Sequence, residues 1–273
     1  MASRPSPDAR PVVLVTGAAR RLGRAIALDL AAHGFDLALH HRHSAAEAEA
    51  VAAQVRARGA QAWLLAADLA DETATNALVP QAQAAAGRID AVVNNASRFE
   101  HDEVGSFGHA AMARHWSANT AAPILLARAL HAAVSQSGHP TGCGCVVNLL
   151  DQKVWNPNPD HLSYTLSKIA LEGATTLLAQ ALAPRVRVCG VAPGLTLPSG
   201  DQTEAEFEAA HRLTPLGRGS TAGDIAQAVR FLLQAPAVTG TTLLVDGGQH
   251  LQPRTRDVMF ALRDAAGATK EMQ

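Results

Sequence analysis

Short runs dense in Val, Leu and Ala alternate along the chain with longer segments in which apolar residues return every three or four positions. The short runs predict seven strands, near Val12–Thr16, Asp36–His40, Ala62–Ala66, Ala91–Asn94, Val146–Leu150, Val186–Val191 and Thr242–Val245. Between the first two, Leu22, Ile26 and Leu30 share one helical face and Gly34 stands where a helix would be capped. Further helices are expected near Ala45–Arg58, Thr73–Ala86, Ala110–His131, Ser163–Ala183 and Ala222–Gln234. Strands alternating with helices are the mark of an α/β protein whose parallel sheet is covered on both faces, a doubly wound arrangement. Ligands of such sheets bind outside the carboxyl ends of the strands, so chemistry is sought there.

Composition fits this pattern. Of 273 residues, 48% are hydrophobic but only 4% aromatic, which suits a core of Ala, Leu and Val between helices and sheet. No repeat or compositional break divides the series, so one domain is expected over 11–251, after a polar, disordered segment 1–10. Residues 252–273 follow the last expected strand and read as a C-terminal tail, free to pack on a neighbouring subunit, whose role the sequence does not specify. A net charge of -1 without a dense Lys/Arg run argues against nucleic acid and anionic membranes as partners. Cys143, Cys145 and Cys189 give neither a disulfide framework nor a zinc pattern and read as small core residues in a reducing compartment. Without an apolar leader or a run of transmembrane length, the expected location is cytoplasmic.

The first candidate site follows the first strand. In Thr16-Gly17-Ala18-Ala19-Arg20-Arg21-Leu22-Gly23, Gly17 permits a tight turn and Gly23 close packing, and the helix N-terminus beyond can hold a pyrophosphate. A glycine pair also punctuates plain turns; its place between strand and amphipathic helix favours a dinucleotide. At the end of the second strand, where a carboxylate would hold the ribose of NAD, stand His41, Arg42, His43 and Ser44. No carboxylate there opposes a 2′-phosphate and several donors welcome one, so the expected cofactor is NADP(H). The histidines His40, His41 and His43 lack acidic or thiolate partners, so they are read as solvated or phosphate-contacting and no metal is expected. Asp68 and Leu69, after the third strand, are placed for an adenine, although Asp68 serves equally as a helix N-cap.

Tyr164 and Lys168 lie four residues apart in a predicted helix and therefore share a face. An ammonium and an oxidised nicotinamide beside a phenol would lower its pKa, and the pair could pass a proton to a reduced carbonyl or imine. Tyr164 is the only tyrosine in the chain. In the long helix after strand four, Pro123 supplies no N–H to the carbonyl of Asn119. The result is either a simple kink or a carbonyl that extends a proton relay from Lys168 through water.

With Thr16 to Gly23, Asn94-Asn95-Ala96, Asn119, Tyr164 and Lys168, Pro193-Gly194 and Val245-Asp246-Gly247-Gly248 in this order, the sequence resembles the short-chain dehydrogenase/reductase family from Pro11 to about Leu251. The resemblance implies a Rossmann-like seven-stranded sheet, Tyr164 as acid, Lys168 binding ribose and tuning Tyr164, and a homotetramer. It also places Gly17, Arg20, Arg21, Leu22 and Gly23, then Asn95, Ala96 and Ser97, then Pro193, Gly194 and Thr196 around the cofactor. Two departures point to the pteridine reductase branch: Arg21 replaces the usual middle glycine, and Asp151 replaces the usual catalytic serine. The segments Leu39 to Ala48, Asn95 to Phe99 and Pro193 to Thr196 resemble that branch too. There, Arg21, Ser97, Phe99, Asp151 and Tyr164 would bind a pterin-like heterocycle, with Phe99 stacked on its ring. Two of these residues also have a plainer reading, a surface loop carboxylate for Asp151 and core packing for Phe99.

The leading expectation is an NADPH-dependent reductase delivering hydride to a C=N bond of a dihydropterin or dihydrofolate. A ketoreductase for small carbonyl compounds is the alternative among enzymes, which Asp151 disfavours. A non-catalytic NADPH-binding sensor is the alternative of another class, against which Tyr164 and Lys168 argue.

Overall fold

The computed structural model describes residues 10–136, 144–198, 202–258 and 260. Seven strands, β1 (Val12–Val15), β2 (Asp36–His41), β3 (Ala62–Ala66), β4 (Ala91–Asn94), β5 (Gly144–Leu149), β6 (Val186–Pro193) and β7 (Thr242–Val245), form one sheet. All neighbours are parallel, in the order β3-β2-β1-β4-β5-β6-β7. The helices are α1 (Arg21–Ala32), α2 (Ala45–Arg56), α3 (Glu72–Ala86), α4 (His109–Trp116), α5 (Ala122–Gln136), α6 (Leu162–Ala181), α7 (Glu204–Arg212) and α8 (Ala222–Gln234).

Strand alternation divides the core into two layers. Val13 and Val15 of β1 pack with Ile26, Val51 and Ile225 of α1, α2 and α8 on one face. Val12 and Leu14 pack with Leu78, Leu126 and Ala179 of α3, α5 and α6 on the other. Both faces are covered, so the strands read as nearly continuous apolar runs. Cys145 and Cys189 are buried free thiols, as expected of core residues, while Cys143 lies outside the described residues.

Three local features differ from the sequence expectation. The helix expected over Ala110–His131 is divided into α4 and α5 by a π-helical stretch, Ser117–Ala121, in which the Ala122 N–H donates to the Ser117 carbonyl. Pro123 has no N–H to continue the ordinary ladder through this stretch. The short α7 is not among the expected helices: only Ala210 is buried, which leaves no periodic signal, and a capping box of Thr203 and Glu206 starts the helix. Finally β2 runs on to His41, paired with Ala66, so that His40 and His41 are buried rather than solvated.

Because β1 sits between β2 and β4, the chain leaves the sheet in opposite directions on its two sides. The crevice so opened at the carboxyl ends of the strands is where side chains from separate loops converge.

Candidate active site

A cavity of about 820 Å³ occupies that crevice. Its first half is built around the β1–α1 turn. Gly17 has φ +64°, and a Cβ on Gly23 would lie 2.1 Å from the Gly17 carbonyl oxygen, so neither position accepts a side chain. Asn95 donates its side-chain amide to the carbonyl of Thr16 at 2.9 Å, while the Thr16 hydroxyl accepts from the N–H groups of Asn95 and Ala96. These bonds lock the loop after β4 to the turn after β1. The first turn of α1 contains no acidic residue and Arg20 makes no side-chain cap, which leaves the helix N-terminus open to an anion. Arg20 pairs with Glu47, and Arg21 takes φ +51°, the glycine-like conformation its position demands.

His40 holds this turn from below. Its Nδ1 accepts from the Gly17 N–H at 3.1 Å, which puts the ring proton on Nε2, 3.1 Å from the Ala67 carbonyl. Burial brings its pKa down to about 4, so the ring is a neutral bracket between the turn and the end of β3. Beyond it, Arg42 borders the cavity with Nη1 3.8 Å from Asp68, both side chains about half exposed. A carboxylate does therefore stand near Arg42, but it comes from β3 rather than β2. Asp71, not Asp68, caps α3, by accepting from the Ala74 N–H. Asp68 turns its own Oδ1 to the Ala70 N–H instead.

The second half of the cavity holds the groups the sequence singles out for proton transfer. The Tyr164 hydroxyl donates to Asp151 Oδ2 at 2.8 Å, and Asp151 Oδ1 accepts from the Lys153 N–H at 2.9 Å. Lys168 Nζ donates to the Leu149 carbonyl at 2.7 Å and lies 5.7 Å from the centre of the Tyr164 ring. Phe99 sets its ring edge-on to Tyr164, with centres 4.7 Å apart, and remains 46% exposed at the cavity.

The sequence suggests a lowered phenol pKa for Tyr164. In the structure burial, then the Asp151 carboxylate, pushes it well above its ordinary value. Burial likewise raises Asp151, and it lowers the Lys168 ammonium to about 8. Tyr164 is thus a neutral O–H donor hydrogen-bonded to a carboxyl group that itself holds a proton more readily than an exposed one. Such a pair can give a proton to an acceptor in the cavity and be recharged through Asp151.

Of the residues expected at the site, Gly17, Arg20, Arg21, Leu22, Gly23, Arg42, Asp68 and Leu69 border this one cavity, as do Asn95, Ala96, Ser97 and Phe99. Asp151, Tyr164, Lys168, Pro193, Gly194 and Thr196 do so as well. The Thr196 hydroxyl is already engaged with the Gly194 carbonyl and Ser220. His41, His43, Ser44 and Asn119 do not border it. His43 is exposed and Ser44 half-buried one and two residues past Arg42; His41 is buried beneath, its Nδ1 without a hydrogen-bond partner. Buried Asn119 acts through its side chain, which accepts from the Arg98 N–H and donates to the Arg98 carbonyl and to Ser167 Oγ. It joins the loop of Phe99 to the helix of Tyr164. Sequence reasoning missed His40, as well as Asp102, which accepts from the Ser163 N–H and hydroxyl at the start of α6. The signal for Asp102 was slight: a carboxylate 61 positions from the helix end it caps.

The family model described as enoyl-(acyl carrier protein) reductase matches residues 17–250. The chain is 34% identical over 284 residues to pteridine reductase 1 of Leishmania tarentolae, covering 90% of this chain and 98% of that protein. It is 29% identical over 252 residues to the 3-oxoacyl-(acyl-carrier-protein) reductase FabG of Staphylococcus aureus, at 87% and 97% coverage. Among solved structures, FolM alternative dihydrofolate reductase 1 from Brucella canis, complexed with NADP, superposes with a TM-score of 0.83. Its identity is 42%, over 92% of this chain and 99% of that one.

Proposed function

The chain belongs to the short-chain dehydrogenase/reductase family, and we propose that it is an NADPH-dependent reductase acting on a C=N bond of a dihydropterin or dihydrofolate. One observation carries the reading within the family: the hydrogen-bond partner of Tyr164 is the carboxylate of Asp151, 2.8 Å away. Reducing a ring C=N needs hydride at carbon and a proton at nitrogen, and a carboxyl group can both recharge Tyr164 and accept from the N–H groups of an aminopterin. The resemblance to a pteridine reductase and to an alternative dihydrofolate reductase supports the same substrate class.

The residues present fit NADPH: the Gly17–Gly23 cradle and open α1 N-terminus suit its pyrophosphate, Arg42 its 2′-phosphate, and Lys168 its ribose. When bound, it supplies the hydride. Tyr164 donates the proton, Asp151 orients and recharges it, and Lys168 contributes positive charge beside the ring. Phe99 offers a flat apolar wall to a heterocycle, and Arg21 stands between the phosphate end and the pterin end. Asn119 ties the loop that carries Phe99 to the helix that carries Tyr164 and Lys168.

We further infer a cytoplasmic homotetramer. Free Cys145 and Cys189 suit a reducing compartment, and among the described residues no helix is long and apolar enough to cross a membrane. Exposed Leu166, Ile169 and Leu177 on α6 and exposed Phe231 on α8 support assembly through these helices, which light scattering would test.

The activity is tested by following NADPH oxidation with dihydrobiopterin, dihydrofolate and a simple ketone, for the wild type and for Asp151→Ser. The expected result is turnover of a dihydropterin, with Asp151→Ser costing that reaction far more than any ketone reduction. If dihydropterins are neither substrates nor competitive inhibitors, and Asp151→Ser improves a ketone reaction, the protein is a ketoreductase instead.

A further inference from the structure

We propose that Asp257 and Val258, beyond the last strand, form a wall of the substrate site, and that Lys153 ties this wall to Asp151. The proposal rests on the reading of Tyr164 and Asp151 as the reacting pair. Both wall residues border the same cavity as that pair, although the family match ends at residue 250 and the sequence suggests only a tail there.

Lys153 makes the connection. It is buried two residues after Asp151; its N–H donates to Asp151 Oδ1, while its ammonium donates to Asp257 Oδ2 at 2.9 Å and Asn158 Oδ1 at 2.8 Å. A buried ammonium is costly unless paired, so Lys153 holds Asp257 firmly. The segment is fastened on its other side too. The Asp257 N–H donates to Asp160 Oδ2 at 2.7 Å, Arg256 donates to the same carboxylate, and Asn156 donates to the Gln252 carbonyl at 2.9 Å.

Asp160 directly precedes His161, which opens α6 with a left-handed φ of +57°. A non-glycine residue in that conformation is strained and persists only where its surroundings fix it. Here the His161 ring stacks on Phe99 at 4.2 Å and on Phe260 at 6.1 Å, so that tail, helix start and substrate-facing ring form one column. Val258 is buried, and it joins Phe99 as apolar lining beside the charged pair of Lys153 and Asp257. A wall with an apolar stretch and a fixed carboxylate suits a flat heterocycle that also presents N–H groups.

The test uses the full chain carrying Asp257→Asn, Lys153→Met or both, together with a chain ending at Leu251. Each variant should raise the substrate KM by about tenfold or more, the scale of a lost charged hydrogen bond, with a much smaller change in kcat and in NADPH affinity. The double variant should be little worse than either single one, because both remove the same pair. Hydrogen exchange should find the Asp257 amide protected in the wild type and faster in Lys153→Met. An unchanged KM in Asp257→Asn, or additive effects in the double variant, would overturn the proposal; the point variants decide even if the shortened chain does not fold. Should the wild type reduce a ketone and no dihydropterin, the pterin reading fails, while the wall is judged on the KM of the ketone.

Discussion

Replacing His40 by Leu is the sharpest test of how the cofactor turn is held. The substitution keeps an apolar volume in a site that is 2% exposed but leaves the Gly17 N–H and the Ala67 carbonyl without their partners. Two unsatisfied buried groups cost about 2 to 4 kcal/mol together. In a chain of this size that lowers Tm by about 5 to 15 °C. A loosened Gly17 should also weaken NADPH binding. Acid adds a second signature. The folded pKa of His40, about 4, lies below the ordinary value of 6.5, so between these values the unfolded chain binds the proton and the folded one does not. The contribution of His40 is therefore intact above about pH 6.5 and is lost as pH falls toward 4, amounting to about 2.5 kcal/mol by about pH 4.5. The Leu variant has no such term. Thermal unfolding from about pH 7.5 to 4.5, with NADPH titrations at neutral pH, should show a large stability gap that narrows in acid. A Leu variant that melts with the wild type, or a gap that is constant with pH, would show that His40 does not bracket the turn.

Tyr164→Phe removes the only O–H that Asp151 Oδ2 accepts from Tyr164, and should lower turnover by about a hundredfold or more while NADPH affinity stays nearly intact; near-normal turnover would take Tyr164 out of the mechanism. Arg42→Asp should abolish or reverse a preference for NADPH over NADH, read as the ratio of kcat/KM values, since Arg42 is half-exposed at the cavity with a loose 3.8 Å contact to Asp68; an unchanged ratio refutes its role. Burial sets the Lys168 ammonium at about 8, so its charge is present below that pH and lost above it, and kcat/KM for NADPH should decline above about pH 8. A flat profile through that range would separate Lys168 from cofactor capture. Arg21→Gly relieves a left-handed backbone and should leave stability equal or raise it by about 0.5 to 1 kcal/mol, while raising KM for the dihydropterin; unchanged kinetics would make Arg21 a bystander.

What the sequence made legible is what is encoded within a few residues. Tyr164 and Lys168 are one helical turn apart, Gly17 and Gly23 flank one loop, and the strand runs follow from burial on both faces. What it concealed depends on distant partners. His40 reads as one of several histidines until the fold places Gly17 and Ala67, 23 and 27 positions away, against its two nitrogens. Lys153 reads as a loop lysine until Asp257, 104 positions on, meets it. The backbone carbonyl of Asn119 draws notice because a proline four residues later is visible in one dimension; the side-chain bonds to Arg98 and Ser167 are not.

The two described non-glycine residues with left-handed φ, Arg21 and His161, stand at the starts of α1 and α6, the helices that open the two halves of the cavity. Local preference argues against both conformations, and each costs on the order of 1 kcal/mol. A fold that needed only tight turns would have placed glycine there. The side chains retained instead point to what the strain sustains. Arg21 keeps a guanidinium at the cavity, and His161 keeps a ring between Phe99 and Phe260. The two departures from the family's usual residues, Arg21 and Asp151, thus border the same cavity as Val258 and Asp257, the latter fastened through Lys153.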